Sequence, residues 1–300
     1  MKMKFKNILL MGLAAAVLTA CGNTTPEGES KTVDLAAQAN SAKLDLVLEG
    51  RDEAAKARFD QRHPKETLMF FGITPGMTVV DVLPGGGWYT KILLPYLGNE
   101  GTVIGVDYAL EMWPEFGGFA TPEFIENKKT WPATWTESAE AWRSDDAAGV
   151  SAFAFGNRNV ELDGTADAVL FIRALHNLAR FEDEGGYLTQ ALADVHAMLK
   201  PGGIVGVVQH QAREDRQDDW ADGSNGYLKK SAIIAKFDAA GFDFVAESDI
   251  NENPMDQAKE GDAVWRLPPT LGTSRDDDEL RAEMQAIGES HRMTLKFKKR

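Results

Sequence analysis

Cysteine is nearly absent. The 300-residue chain has one, Cys21, so it forms no internal disulfide and no cysteine-rich zinc site. Basic residues are also scarce: 32 Lys and Arg stand against 46 Asp and Glu, a formal net charge of −14, and three of the lysines fall within the first six residues. So acidic a surface repels phosphate backbones, and the nearest thing to a basic patch, Lys296, Lys298, Lys299 and Arg300, is short; no nucleic-acid partner is expected. Internal repeats are missing, as are long apolar runs beyond the start of the chain, which excludes a polytopic membrane protein. What is present is globular composition, 43% hydrophobic and 26% charged, enough for a substantial core. The acid runs Asp145-Asp146, Asp218-Asp219 and Asp276-Asp277-Asp278 read as solvated loops without the ligand spacing of a calcium site.

Lys2, Lys4 and Lys6 precede an apolar run from Ile8 to Val17, followed by Leu18-Thr19-Ala20-Cys21. The run is too short to span a bilayer permanently and has the proportions of a signal peptide over residues 1–20. Leu18 to Cys21 resembles the lipobox of bacterial lipoproteins. The resemblance implies cleavage before Cys21, acylation of that cysteine, and a lipid anchor in the cell envelope facing the periplasm. With Gly22 rather than Asp next, it implies the outer membrane of a Gram-negative cell. Residues 21–32 are small and polar and read as a flexible tether.

Residues 33–76 are mostly helical in pattern, with Glu53 to Ala57 rich in helix formers and Pro64 marking a break. The remainder, 77–300, alternates short apolar runs with amphipathic ones. Buried strands are predicted at 77–83, 102–107, 151–155, 166–172, 204–208 and 242–245, and the alternation of Met293, Leu295 and Phe297 predicts a final half-exposed strand. Helices are predicted at 88–97, 187–199 and 227–240. Residues 108–150, with four of the seven tryptophans, read as an inserted, partly helical cap rather than a separate domain; its rings form either an aromatic lid or, for at least half of them, core packing. Strand, glycine loop, helix and strand make a βαβ unit, and the chain is predicted to be α/β with helices on both faces of its sheet.

Gly85-Gly86-Gly87 follows the first of these strands. Glycines at a strand-to-helix turn let a ligand approach the backbone, and the helix N-terminus offers free amides. Asp107 ends the next strand, where a carboxylate can accept two hydrogen bonds from a ribose diol. Together they predict an adenosine-type ligand.

Val79-Val80-Asp81-Val82-Leu83-Pro84-Gly85-Gly86-Gly87 resembles the first motif of class I S-adenosylmethionine-dependent methyltransferases. Val103-Ile104-Gly105-Val106-Asp107 resembles their second strand, and Leu199-Lys200-Pro201-Gly202-Gly203 the turn before their fifth. With Arg62-His63-Pro64 and Arg292-Met293-Thr294-Leu295-Lys296-Phe297, residues 55–300 are similar to exported proteins labelled predicted methyltransferases. The resemblance implies a doubly wound, Rossmann-like methyltransferase sheet of seven strands with the last antiparallel and beside the sixth. It also implies S-adenosylmethionine as cofactor, held by Asp81, Gly85, Gly86, Gly87 and Asp107. Tyr108 would stack on the adenine or, equally, serve as a packing residue, and Asn157 would meet the adenine edge where many members have an aspartate. Leu83 departs from the motif, standing where a glycine is common.

In a doubly wound sheet the ligand crevice lies beyond the C-terminal strand ends at the switch point. The fourth strand ends in Ile172-Arg173-Ala174-Leu175-His176-Asn177 and the fifth in Val208-Gln209-His210. Methyl transfer is an in-line displacement governed by positioning, and neutral histidine suits proton removal near pH 7. His176 and then His210 are the predicted base or acceptor-orienting groups; the alternative for both is a strand-capping role. Tyr89, Arg173 and Asn177 are predicted to face a small-molecule methyl acceptor. His63 is a further candidate to line the pocket, with a turn role as its alternative. A metal needs a third ligand, such as Asp163 or Asp215, and no spacing fixes one, so none is expected. Three functions remain: a lipid-anchored methyltransferase, a lipid-anchored binding protein that holds a nucleoside or other metabolite without catalysis, or an envelope scaffold with a degenerate pocket. The sequence leaves the oligomeric state open.

Overall fold

The computed structural model describes residues 27–300, with side chains described from residue 35 onward. The signal peptide and Cys21 lie outside these residues. The elements, in order, are α1 (Glu27–Glu49), α2 (Glu53–Lys56), α3 (Phe59–Arg62), α4 (Pro64–Phe71), β1 (Thr78–Val82), α5 (Thr90–Leu97) and β2 (Thr102–Asp107). A 3-10 helix (Leu110–Phe116) leads into α6 (Pro122–Lys129), α7 (Trp131–Glu140), β3 (Gly149–Ala154) and β4 (Ala166–Ile172). Then come α8 (Leu175–Arg180), α9 (Glu182–Gly185), α10 (Tyr187–Met198), β5 (Leu199–Ala212), β6 (Leu228–Lys229), α11 (Lys230–Ala239), β7 (Phe242–Ser248), α12 (Asp278–Ile287) and β8 (Arg292–Lys299). The compact unit that holds the sheet runs from Ala39 to Arg300. Helix α1 takes in residues 27–32, read from composition as part of the tether: Ala36, Ala37, Ala39 and Ala42 favour helix, and no glycine or proline interrupts it between Glu29 and Glu49.

Seven strands pair in the order β3-β2-β1-β4-β5-β8-β7, and the two-residue β6 pairs with the end of β5. All are parallel except β8, which runs antiparallel to both β5 and β7. The predicted doubly wound sheet is therefore present, and its order reverses between β1 and β4. Successive residues feed opposite faces: Val80, Val82, Ile104, Val106, Val169 and Phe171 join one core, while Val79, Val103, Ala168 and Leu170 join the other. Both faces are buried, as parallel strands require.

Two expectations change. The 108–150 segment is not a separate cap, because α7 is the crossover that packs on β2 and β3. Trp135 lies against Gly105 of β2, where a Cβ would sit 2.6 Å from the ring, and Trp131 and Trp142 flank it. Of the two readings of these rings, core packing is the one that holds for Trp131, Trp135 and Trp142. Strand β8 is not half-exposed: between β5 and β7 it buries Thr294 fully, and the Lys296 ammonium donates to the Phe70 carbonyl at 3.2 Å. Among the described residues no helix is long and apolar enough to cross a membrane.

Candidate active site at the strand ends

The glycine loop starts in strain. Leu83, at the position where the resembling motif has glycine, takes a left-handed φ of 56° while its N–H bonds the Val106 carbonyl at 2.7 Å. A non-glycine residue held there costs about 1–2 kcal/mol, so the surroundings impose the turn. Gly85 and Gly86 are exposed, and nothing lies within 4 Å of where their Cβ atoms would stand. That backbone is open to a ligand. Gly87 is not: it is buried at φ 76°, and a side chain there would run into the Trp142 ring. Asp81 sits beneath the loop, buried, accepting from Thr90 Oγ1 at 2.7 Å at the start of α5. Burial pushes its pKa up to about 6. Its contacts make it an anchor tying the two ends of the loop together.

Asp107 closes β2 as predicted, but its carboxylate is engaged. Oδ1 accepts from the Tyr108 N–H at 2.9 Å and Oδ2 from Lys128 Nζ at 2.8 Å. The Lys128 ammonium also lies 3.9 Å from the centre of the Trp113 ring. Burial raises the Asp107 pKa, with Lys128 opposing it. Of its two expected roles, Tyr108 takes packing rather than adenine stacking. Its ring is buried beside Trp113 and Phe116, at 5.4 and 5.9 Å, and its hydroxyl donates to the Ala174 carbonyl while accepting from Asn177. Asn157 is exposed beyond β3 and lines a different hollow, with Pro132 and Leu162.

Where β1, β4 and β5 end, a cavity of about 260 Å³ is lined by Leu83, Arg173, His176, Asn177, His210 and Glu289, among others, and roofed by the 264–270 segment. Arg173 is a second left-handed residue, φ 60°, with its N–H on the Val208 carbonyl at 2.6 Å. The His176 and His210 rings stand 5.6 Å apart. His210 Nδ1 is 2.5 Å from Ser290 Oγ, whereas His176 Nδ1 has only a long 3.5 Å contact with the Gln209 amide. Burial pulls the His176 pKa down to about 4 and that of His210 well below its ordinary value, and Arg173 acts in the same direction on both. Both imidazoles are neutral at pH 7. Tyr89 is buried among the guanidiniums of Arg292, Arg173 and Arg62, and burial raises its pKa.

The structure thus brings together His176, His210, Arg173, Asn177 and the edge of Tyr108 in one cavity, keeps Tyr89 buried outside its lining, and places Asn157 elsewhere. His63 lines a larger open hollow of about 610 Å³ between α1 and α2–α4, away from the strand ends. Asp163 and Asp215 pair with Arg158 and Arg213. Sequence reasoning missed Lys128 and Glu289. Glu289 meets Arg62 across 227 positions, a separation at which no spacing rule operates; the only signal was that Arg62 and Arg292 both fall in stretches that resemble the exported proteins.

No family model matches the chain, and no curated protein matches its sequence. Among solved structures it is similar to a SAM-dependent methyltransferase from Aquifex aeolicus, at 17% identity over 69% of this chain and 93% of that one, with a TM-score of 0.45. It is also similar to the Burkholderia thailandensis 1,6-didemethyltoxoflavin-N1-methyltransferase, solved with 1,6-didemethyltoxoflavin and S-adenosylhomocysteine (15% identity, 95% and 93% covered, TM-score 0.43). A third is the cyclase SpnF (14% identity, 80% and 80% covered, TM-score 0.45). The strand order and directions themselves define the fold of this chain.

Proposed function

We propose that the chain is an S-adenosylmethionine-dependent methyltransferase, lipid-anchored through Cys21 in the cell envelope and acting on a small molecule or envelope component. The observation that carries this reading is the open Gly85-Gly86 backbone beside the strand-end cavity at the point where the sheet order reverses. The residues present suit the cofactor in kind: two bare glycines for close approach, and Asp107 for a diol once Lys128 swings away. When bound, the cofactor supplies an electrophilic methyl group on a sulfonium. The chain's own part is to hold and orient. Gly85 and Gly86 offer unobstructed backbone, and Asp81 fixes their loop through Thr90. His176 and His210, neutral and close together, face the acceptor with Arg173 and Asn177. An imidazole whose pKa is near 4 is a weak base, so His176 serves better as a hydrogen-bonding guide for the acceptor than as a proton acceptor.

The occupation of Asp107 by Lys128, and of the face of Gly87 by Trp142, favours a second reading: a lipid-anchored protein that holds a nucleoside or other metabolite without transferring a methyl group. Calorimetry on the full chain in detergent separates the two. Under the enzymatic reading S-adenosylhomocysteine binds at about micromolar affinity, Asp107→Ala weakens it about tenfold or more, and labelled methyl groups pass to a component of cell extract. Binding without any labelled product supports the second reading. Absence of binding to the wild-type chain removes the first.

A further inference from the structure

Beside the strand-end cavity, four arginines converge on one carboxylate. Glu289 is 5% exposed, and Arg62 Nε donates to both of its oxygens at 2.8 and 3.0 Å. Arg292 Nη1 donates to Oε2 at 3.0 Å. Arg173 and Arg58 come only to 3.8 and 3.9 Å. Among the described residues Glu289 is the carboxylate within 4 Å of Arg173 and Arg292; Arg62 repels both, and the phenol of Tyr89 is kept neutral by burial. Four positive groups against one negative leave an excess of positive charge at the cavity wall.

Arg173 is the member that faces the cavity. Its guanidinium makes no hydrogen bond to any described residue, and its Nε is buried without a partner, as is that of Arg292. Desolvation, with Arg62 pushing the same way, draws the Arg173 pKa down to about 9, which leaves it charged at neutral pH. A desolvated cation with a free planar fork of donors is the arrangement that receives a carboxylate or phosphate in bidentate fashion. The protein as a whole carries −14, so attraction for an anion is a property of this cavity and not of the overall field.

We propose that the strand-end cavity is an oxyanion site in which Arg173, backed by Arg62 and Arg292, takes the carboxylate or phosphate group of the molecule to be methylated. Assigning the anion to the acceptor rests on the methyltransferase reading; the oxyanion site does not. At about 260 Å³ the cavity has room for the charged end of a small metabolite, and it holds the same anion against neutral His176 and His210.

The test is calorimetry on the full chain in detergent with inorganic phosphate, benzoate and S-adenosylhomocysteine. Wild type is expected to bind phosphate or benzoate saturably at one site. Arg173→Gln should weaken that binding about tenfold or more, and Arg173→Lys, which keeps charge but loses the fork, should also weaken it, while S-adenosylhomocysteine affinity stays within about threefold. Glu289→Gln, by removing the competing carboxylate, should strengthen the anion. The proposal is overturned if neither anion saturates, or if both arginine variants bind it as wild type does. A parallel loss of S-adenosylhomocysteine affinity in Arg173→Gln overturns the acceptor assignment, because it puts the cofactor's own carboxylate on Arg173. Anion binding that depends on Arg173, with no S-adenosylhomocysteine bound by wild type, supports the oxyanion site and removes the methyltransferase reading instead.

Discussion

Burial decides the charge state of the side chains at the strand ends. His176 has a pKa near 4 when folded against 6.5 as its ordinary value, so the unfolded chain takes up a proton between those pH values that the native state refuses. The stability His176 contributes is therefore fully present above pH 6.5 and is lost as pH falls toward 4. His210 acts in the same sense, whereas Asp81, raised to about 6, acts in the opposite one, since its protonation favours the native state. The His176 effect is isolated by difference against His176→Gln, in which the terms from Asp81 and Asp107 largely cancel. Chemical denaturation from pH 4 to 7 is expected to show wild type gaining about 3 kcal/mol on the variant across that window. Parallel curves would mean the imidazole titrates normally. His176, His210 and Arg173 were legible in the sequence because a strand end is a place the sequence can mark. Their neighbour Glu289 was not, because the chain returns to it only at the entry to β8.

At the scale of elements, α6 governs access to Asp107, the carboxylate of the proposed cofactor site. It has no fully buried residue and is held by Phe124 against Trp113, 5.2 Å between ring centres, by Ile125 at the edge of the core, and by Lys128 on Asp107. Of these ties the ion pair is the one a ligand at Asp107 must break. Lys128→Met removes the competitor and strands a buried carboxylate. The free protein should lose up to about 3 kcal/mol, and less to the extent that Asp107 takes a proton. S-adenosylhomocysteine should then bind more tightly than to wild type and raise Tm by a larger increment. Equal or weaker binding would show that Lys128 does not contend for Asp107. The neighbouring α7 shows where composition fell short. Its aromatic content left lid and core packing both open, yet Trp131, Trp135 and Ala139 recur every four residues, the spacing of a single helical stripe, which is the signature of a crossover helix docking on a sheet. Composition registers that tryptophans are present; only their periodicity tells which way they face.

For the whole molecule, the βαβ logic reached the parallel strands because each predicted strand between 77 and 245 is an apolar run closely preceded by glycine, and right-handed crossovers leave few ways to order such strands; the antiparallel place of the last strand came from the resemblance. Charge balance speaks to how the protein meets a membrane. A chain at −14 gains nothing from anionic headgroups, whose field favours basic segments, so surface electrostatics alone would keep it in solution. Two or three acyl chains on Cys21 would overcome that repulsion, since each buried methylene contributes about 0.8 kcal/mol and a second chain converts marginal into stable anchoring. In bacteria expressing the gene, the protein is accordingly expected in the membrane fraction, resistant to high-salt washing and released by detergent. Cys21→Ser should shift it to the soluble fraction and abolish incorporation of labelled fatty acid. Release of the wild-type protein by salt, or retention of Cys21→Ser on the membrane, would mean that protein surface and not lipid makes the attachment, and would require a basic or apolar docking face that the acidic composition argues against.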